Sequence, residues 1–274
     1  MTSQTLKQIH ASLPDHINRN VASEVHSVAD VITRPDSCDN CISQERCAVS
    51  RLVASARQLI SQIVSRTHIA VGGESLFREG EAPEALYVVK SGSAKVYFTT
   101  EDGTEQVVAF YMPGDVLGLD ALGIDEHRTS AVALERTALC IIPLANLEDI
   151  CSRISGSSRC IYTLLSGELV RDYQTLGMIT KKDAEAKMAS FLVMLSERFR
   201  ARGYSANNFN LSMKRNEIGS YLGIAVETVS RIITRFQDEG LVVVDRRRVQ
   251  ILDIHGLEGV AGGGQRVFTS QKVS

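Results

Sequence analysis

Two helical patterns separated by a single glycine, in the segment from Met213 to Val244, constrain the fold of this chain more than any other feature. The first pattern predicts a short helix over Asn216–Leu222. Gly223 follows it and can adopt the left-handed conformation that a tight turn between two helices requires. A second helix is predicted to begin near Val226. This spacing is typical of a helix-turn-helix motif.

The second helix is predicted to have two faces. Apolar residues at intervals of three and four positions are expected to pack inward. They are Val229, Ile232, Ile233 and Phe236. Glu227, Ser230 and Arg231 lie on another face, in the first turns, where a recognition helix contacts the base edges of DNA. Arg231 can bind O6 and N7 of guanine, Glu227 can accept a hydrogen bond from N4 of cytosine, and Ser230 can contact either kind of base. The alternative is an ordinary solvated helix face, but the turn, the spacing and the apolar face all favour DNA binding.

A short hairpin with three consecutive arginines is predicted after the second helix. Arg246, Arg247 and Arg248 would form a wing beside the helix-turn-helix, where their guanidinium groups suit DNA phosphates. The charge distribution agrees, because residues 187–255 carry 11 Lys and Arg against 7 Asp and Glu. Residues 1–186 are acidic, with a net charge of −7. This asymmetry favours sensing in the first part and nucleic acid binding in the second.

An antiparallel barrel or roll is predicted for residues 69–150, where apolar and polar residues alternate and glycines recur. Its candidate strands are Ala85–Lys90, Ala94–Thr99, Gln106–Tyr111 and Thr137–Ile142. Asp102 and Gly103, between two of these strands, indicate a hairpin turn. Residues 51–68 are predicted to form a short amphipathic helix, and the Gly-rich tail from Ala261 is predicted to be disordered.

A long helix with an apolar seam is predicted over residues 157–182. The seam residues recur at steps of three and four, as in a coiled coil. They are Ile161, Leu165, Leu169, Asp172, Leu176 and Ile179. We predict that this helix pairs with the same helix of a second chain, and packing on its own barrel is the alternative. Asp172 is an acid on an apolar seam, and two such carboxylates brought together by a two-fold axis would repel each other.

Three of the six cysteines lie close together near the N-terminus, with Cys38 and Cys41 in a C-x2-C pair and Cys47 after them. The chain begins without an apolar secretory run, and no stretch approaches the roughly 18 apolar residues of a membrane span. We therefore expect a cytoplasmic protein whose cysteines stay reduced. Clustered thiolates bind iron-sulfur clusters or zinc, and a fourth ligand would come from the remaining cysteines. These are Cys140, Cys151 and Cys160.

Residues 30–257 resemble the Crp/Fnr family of transcription regulators. Glu-Thr-Val-Ser-Arg at 227–231 matches the recognition-helix motif of that family. Valine at position 226 is similar to the Fnr branch rather than to the cyclic-AMP receptor branch, which has arginine there. The resemblance implies an α+β fold: an N-terminal antiparallel β-roll (jelly-roll) like that of cyclic-nucleotide-binding domains, a long dimerisation helix and a C-terminal winged helix-turn-helix. The predicted segments are a cysteine-bearing leader, a β-roll sensor domain, the dimerisation helix, the DNA-binding domain and a disordered tail. Their bounds are 1–50, 51–155, 156–183, 184–257 and 258–274.

The resemblance to the Fnr branch also implies a cofactor and partners. Oxygen-sensing Fnr regulators hold a [4Fe-4S] cluster on cysteines with a similar arrangement. The implied ligands are Cys38, Cys41, Cys47 and Cys140. The implied function is a homodimeric, mainly activating, oxygen-responsive regulator whose cluster controls dimerisation at the seam around Asp172. Its DNA site would be an inverted repeat of TTGAT-like half-sites, read by the three polar residues of the recognition helix. Asp102, Gly103 and Thr104 occupy the place where Fnr regulators contact RNA polymerase, and an ordinary surface turn is the alternative.

Other functions fit these residues less well. A cyclic-nucleotide regulator shares the β-roll, but Gly118-Leu119-Asp120 lacks the glutamate of the phosphate cassette, and Arg128-Thr129-Ser130-Ala131 matches it only in part. A structural zinc site usually has two close cysteine pairs, whereas this chain has one, and a thiol switch without a cluster is a further alternative. An enzyme is not expected, because the sequence has no P-loop, G-x-S-x-G or H-E-x-x-H motif.

Overall fold

A computed structural model describes residue 47 and residues 66–147, 157–181 and 183–262. Residues 66–143 contain two antiparallel four-stranded sheets, with strand orders β1-β8-β3-β6 and β2-β7-β4-β5. The strands are β1 Arg66–Ala70, β2 Ser75–Phe77, β3 Ala85–Ser91, β4 Ala94–Thr99, β5 Glu105–Tyr111, β6 Val116–Leu117, β7 Ser130–Ala133 and β8 Thr137–Pro143. A 3-10 turn at Leu119–Ala121 follows β6. These sheets form the predicted β-roll.

The four strands predicted from alternation are confirmed. Ala94–Thr99 has the predicted bounds, and each of the other three is one residue longer than predicted. The hairpin between β4 and β5 is also confirmed, with Thr99 paired to Glu105 and Gly103 in the left-handed region at φ 81°. Alternation identified these strands because one face of each sheet packs on a shared apolar core.

After residue 156, the described part of the chain contains five helices and a small three-stranded sheet. The helices are α1 Ser157–Ile179, α2 Ala184–Ala201, α3 Arg215–Leu222, α4 Val226–Asp238 and α5 Ile254–Val260. The sheet has the order β10-β11-β9, with β9 Asn208–Asn210, β10 Val242–Asp245 and β11 Arg248–Ile251. Helix α1 ends three residues before the predicted 182, because Asp183 caps the next helix by accepting a hydrogen bond from Glu185 N at 3.1 Å. The α+β architecture of roll, long helix and winged helix-turn-helix is confirmed.

Two predictions about segment ends were wrong where the structure describes them. The amphipathic helix predicted over 51–68 cannot include its last three residues, because Arg66–Ala70 is a strand that pairs with β8. The disordered tail predicted from 258 begins too early, because α5 extends to Val260 and Leu257 within it is fully buried. The glycines around Leu257 gave no sign in the sequence that this leucine packs against the core. Residues 1–46, 48–65 and 263–274, and the predictions made for them, lie outside the described residues.

One apolar cluster joins the β-roll to the helices that follow it. Phe110 of β5, Phe191 of α2 and Tyr221 of α3 pack edge to face or tilted, with ring centroids 5.0–6.2 Å apart. The α3 helix is thereby fixed against a strand of the roll. Among the described helices, none combines the length and apolar character needed to cross a membrane.

Candidate DNA-binding face, dimer seam and cysteine site

The helix-turn-helix geometry matches the prediction. Helix α3 ends at Leu222, Gly223 adopts φ 63° and ψ 44°, and α4 begins at Val226. Gly219 inside α3 was not singled out from the sequence. A Cβ at Gly219 would lie only 2.7 Å from the carbonyl oxygen of Ile224, so the close approach of α3 to the turn requires glycine there.

Helix α4 presents the predicted polar face. The four apolar residues predicted to pack inward are buried. Glu227 and Arg231 are exposed and Ser230 is half-buried, all on the open side of the helix. Arg215, the first residue of α3, donates from Nη1 to Ser230 Oγ at 3.2 Å. Arg231 Nη2 donates to Thr228 Oγ1 at 3.1 Å. Arg215 and Thr228 therefore belong to the candidate DNA-binding face, although the predicted helix started at Asn216 and left Arg215 out.

The three wing arginines form an exposed basic edge. Arg246 and Arg247 make the two-residue turn between β10 and β11, and Arg246 adopts φ 54°. Arg248 is the first residue of β11 and donates from Nε to Asn208 Oδ1 at 3.0 Å. The buried Val249 anchors the same strand. The wing is thus held to the domain while its charged groups point outward.

Helix α1 carries an exposed apolar stripe along the predicted seam. Leu165, Leu169 and Leu176 are 37%, 50% and 53% exposed, and Asp172 lies exposed among them. The stripe continues through Tyr162, which is 66% exposed. The structure places the two end residues differently, because Ile161 is half-buried and Ile179 packs against the core of the chain. Steps of three, four, three and four from position 162 to 176 fit a heptad, which favours Tyr162 over Ile161 at the N-terminal end of the stripe.

Burial raises the pKa of Asp172 above its ordinary range, although the neighbouring Arg171 acts in the opposite direction. The same helix places Glu168 beside the β-roll, where it accepts a hydrogen bond from Tyr111 Oη at 2.7 Å. Burial also raises the pKa of Glu168.

Two of the four predicted cluster ligands pack against the same small apolar cluster. Cys140 lies in β8, opposite Thr67 of β1 and Val88 of β3. Cys47 and Cys140 are both half-buried against this cluster. Its members are Leu86, Val88, Val116, Leu119 and Ile142. Leu164 of α1 packs against it as well. Cys38, Cys41 and Cys151 lie outside the described residues, as does the side chain of Cys160.

A cavity of about 310 Å³ lies between the β-roll and α1. Its charged lining residues in the described chain are the carboxylates Asp120, Glu168 and Asp172. Asp120 is already engaged, since its Oδ2 accepts hydrogen bonds from Arg128 N at 3.1 Å and from Thr129 Oγ1 at 2.9 Å. The side chain of Arg128 turns away to pair with Glu126 at 2.7 Å. An anionic phosphate would meet like charge in this cavity, so its chemistry does not favour a cyclic nucleotide.

The loop between β4 and β5 is ordered by one carboxylate. Asp102 accepts hydrogen bonds from Thr100 Oγ1 and, at 3.0 Å, from Thr104 N. These hydrogen bonds lower the pKa of Asp102. The loop therefore keeps a fixed shape and a negative charge at the surface.

Two family models cover both halves of this architecture. Residues 70–154 match the cyclic nucleotide-binding domain, and residues 186–260 match the Crp-like helix-turn-helix domain. The chain is 40% identical over 226 residues to the transcriptional activator protein Anr of Pseudomonas protegens. The matched residues cover 82% of this chain and 93% of that protein. The chain belongs to the Crp/Fnr family of transcription regulators.

Other Crp/Fnr proteins agree in sequence and fold. The fumarate and nitrate reduction regulatory protein of Escherichia coli is 35% identical over 230 residues, 84% of this chain and 92% of that protein. The structure of FixK2 from Bradyrhizobium japonicum has a TM-score of 0.67 at 26% identity, covering 73% of this chain and 98% of FixK2. Crp/Fnr regulators bind DNA through the helix-turn-helix and act as dimers, so this chain is a DNA-binding transcription regulator and not an enzyme.

Proposed function

We propose that this chain is an oxygen-responsive, mainly activating regulator of the Fnr type that holds a [4Fe-4S] cluster and reads TTGAT-like inverted repeats as a homodimer. The observation that carries the proposal is that Cys47 and Cys140, far apart in sequence, pack against the same apolar cluster. The relatives named as transcriptional activators support the direction of control. A reducing compartment keeps cysteines in the thiol form, and we place the protein in the cytoplasm.

The proposed ligands are Cys38, Cys41, Cys47 and Cys140. Thiolates are the usual ligands of iron-sulfur clusters, so the donor set fits the group. Cys47 and Cys140 are half-buried beside aliphatic side chains, which would exclude bulk water from one side of the site. The bound cluster would supply a redox-active group.

Helix α1 would connect the proposed cluster site to the proposed dimer seam. Leu164 of α1 packs on the apolar cluster that Cys47 and Cys140 border, and the next residue, Leu165, is on the exposed stripe. A change in the packing of the cysteines would therefore shift α1 where it is expected to meet its partner. Asp172 keeps that association weak enough to be switched, because two facing carboxylates oppose it.

DNA recognition would be divided between the helix and the wing. Glu227, Ser230 and Arg231 would contact base edges, while Arg246, Arg247 and Arg248 would contact phosphates. In the dimer, two such faces read two half-sites at once, which ties DNA affinity to dimerisation. The fixed acidic loop of Asp102, Gly103 and Thr104 would contact RNA polymerase.

Metal content of anaerobically purified protein tests the cofactor. We expect about four iron and four sulfide per chain, with visible absorbance that is lost in air. Cys140→Ala should lose the iron, whereas Cys151→Ala, a matched loss of a thiol outside the proposed ligand set, should retain it. Stoichiometric zinc without sulfide would overturn the proposal. Dimer formation, measured by sedimentation before and after air, should decrease together with binding to a TTGAT palindrome.

A further inference from the structure

A single buried carboxylate joins three parts of the molecule. Asp115 lies in the turn between β5 and β6 and is 6% exposed. Its oxygens contact Arg198 Nη2 on α2 at 2.5 Å and Nη2 of Arg202, the residue directly after α2, at 2.6 Å. Arg171 of the seam helix α1 places Nη2 at 3.6 Å from Asp115 Oδ1. The β-roll, the dimerisation helix and the first helix of the DNA-binding part therefore meet at this residue.

The same two arginines also bind the backbone of β5 and of the turn that contains Asp115. Arg198 Nη1 donates to the Phe110 carbonyl oxygen at 2.9 Å, and Arg202 Nε donates to the Pro113 carbonyl oxygen at 2.8 Å. Each guanidinium thus makes one contact with Asp115 and one with the chain beside it. A planar group bound at two points has little freedom to rotate, so α2 is fixed in direction as well as in position.

The charges explain why this contact persists. Burial alone would raise the pKa of Asp115, but the three arginines hold it well below its ordinary range. Asp115 therefore stays ionised. Glu168 Oε2, also on α1 and 3.2 Å from Arg171 Nη1, adds a second carboxylate to the group and orients the Arg171 side chain. Breaking any one of these pairs would leave a charge with poor access to water, which makes alternative domain orientations costly.

We propose that Asp115 and Arg171 are positioning residues that set the direction of the DNA-binding helices relative to the dimerisation helix, and so fix the half-site separation that the dimer reads. This inference rests on the proposed dimeric recognition of two half-sites. Neither residue belongs to the DNA-binding face described above, so the effect reaches DNA through α2 and the helices packed on it.

The half-site separation that the dimer prefers depends on the angle between the DNA-binding helices and the dimerisation helix. Each added base pair moves the second half-site by about 3.4 Å along the axis and rotates it by roughly 35°. A dimer whose DNA-binding domains are rigidly held loses contacts when the separation changes. A dimer whose DNA-binding domains can reorient keeps them. A rigid dimer should therefore bind duplexes with different half-site separations with clearly different affinities.

The test measures affinity for duplexes that carry two TTGAT half-sites whose separation varies in steps of one base pair, with a one-half-site duplex for comparison. The proteins are the anaerobically purified full-length wild type, Arg171→Gln, Asp115→Asn and Arg200→Gln. Arg200 is the matched control, because it lies on α2, is exposed and pairs with Glu197 instead of Asp115. Arg171→Gln leaves Asp115 its contacts with Arg198 and Arg202, so it should fold even if Asp115→Asn does not.

For the wild type and Arg200→Gln we expect roughly a tenfold or greater loss of affinity one base pair away from the best separation. For Arg171→Gln we expect this ratio to fall below about threefold while binding to the single half-site is unchanged. If Arg171→Gln kept the wild-type ratio, the positioning role would be wrong even though the dimer reads paired sites. If the wild type bound one half-site as tightly as any pair, dimeric reading and this inference would both fail.

Discussion

Gly219 lies inside α3 and faces the turn that leads to α4. A Cβ there would meet the Ile224 carbonyl oxygen at 2.7 Å, closer than packed atoms come. Alanine gains about 1 kcal/mol over glycine in helix propensity, but overpacking a tight site costs about 1–3 kcal/mol and the neighbour here is backbone. We expect Gly219→Ala to lower the free energy of unfolding by roughly 1–2 kcal/mol and to weaken DNA binding, because α3 must move relative to α4. Urea unfolding and DNA titration measure both effects.

Gly223 provides the control for that substitution. It adopts φ 63° with nothing within 4 Å of the Cβ that a side chain would add. Asparagine tolerates this conformation, so Gly223→Asn should change the free energy of unfolding by less than about 1 kcal/mol. Equal effects of the two substitutions would mean that the close contact at Gly219 does not govern the turn.

These two glycines show how far a local pattern reveals a residue's role. Gly223 was predicted because a helix that stops and restarts needs a left-handed residue between its parts, which the sequence displays. Gly219 was missed because its reason is a contact across the turn with Ile224. Arg215 was missed for a similar cause, since its contact with Ser230 joins two helices.

The wing hairpin is predicted to act through charge and not through base identity. Replacing Arg246 by Asn and Arg247 by Gln removes two charges, and asparagine accepts the φ of 54° at position 246. If each arginine contacts one phosphate, the slope of log affinity against log salt should fall by about 0.9 per contact. Affinity should drop by a similar factor for TTGAT and for unrelated duplexes. Fluorescence anisotropy at several salt concentrations measures the slope.

The matched control removes two exposed arginines outside the wing, Arg78 and Arg200, which are 70% and 65% exposed at their side chains. Arg78→Gln with Arg200→Gln changes net charge equally and should leave the salt slope unchanged. A wing variant that lost affinity only for TTGAT would instead assign the wing to base reading.

Periodicity located most elements because each packs one face on the core. It placed four of the eight strands of the roll, both helices of the motif and α1 within a few residues. It did not locate α5, where only Leu257 is fully buried. Periodicity also could not predict the ion pairs of Asp115, because Arg198 and Arg202 lie 83 and 87 residues away in sequence. Contacts of this kind depend on how the domains dock, which no local pattern encodes.

The dimer as a whole is predicted to be weakened by Asp172. The residue sits on the exposed stripe between Leu169 and Leu176, where a second copy would bring an identical carboxylate close. Asp172→Ala removes this repulsion, so we expect a lower dimer dissociation constant in sedimentation and DNA binding that persists in air. Asp125→Ala, which removes an exposed acid from the β-roll, is the charge-matched control. A variant that dimerised no better than the control would place Asp172 outside the interface.

The same carboxylate predicts how the dimer responds to pH. Burial raises the pKa of Asp172 in the single chain, and the like charge of the partner's copy would raise it further in the dimer. The dimer then binds protons more readily than the separated chains, so lowering the pH through this raised pKa should strengthen association. Glu168, whose pKa is also raised by burial, lines the same cavity and could contribute. As the pH falls through this raised pKa, we expect the dissociation constant to fall by roughly threefold to tenfold in the wild type, and to stay nearly constant in Asp172→Asn. A wild-type response that survives unchanged in Asp172→Asn would assign the effect to Glu168 or another group and remove Asp172 from the seam mechanism.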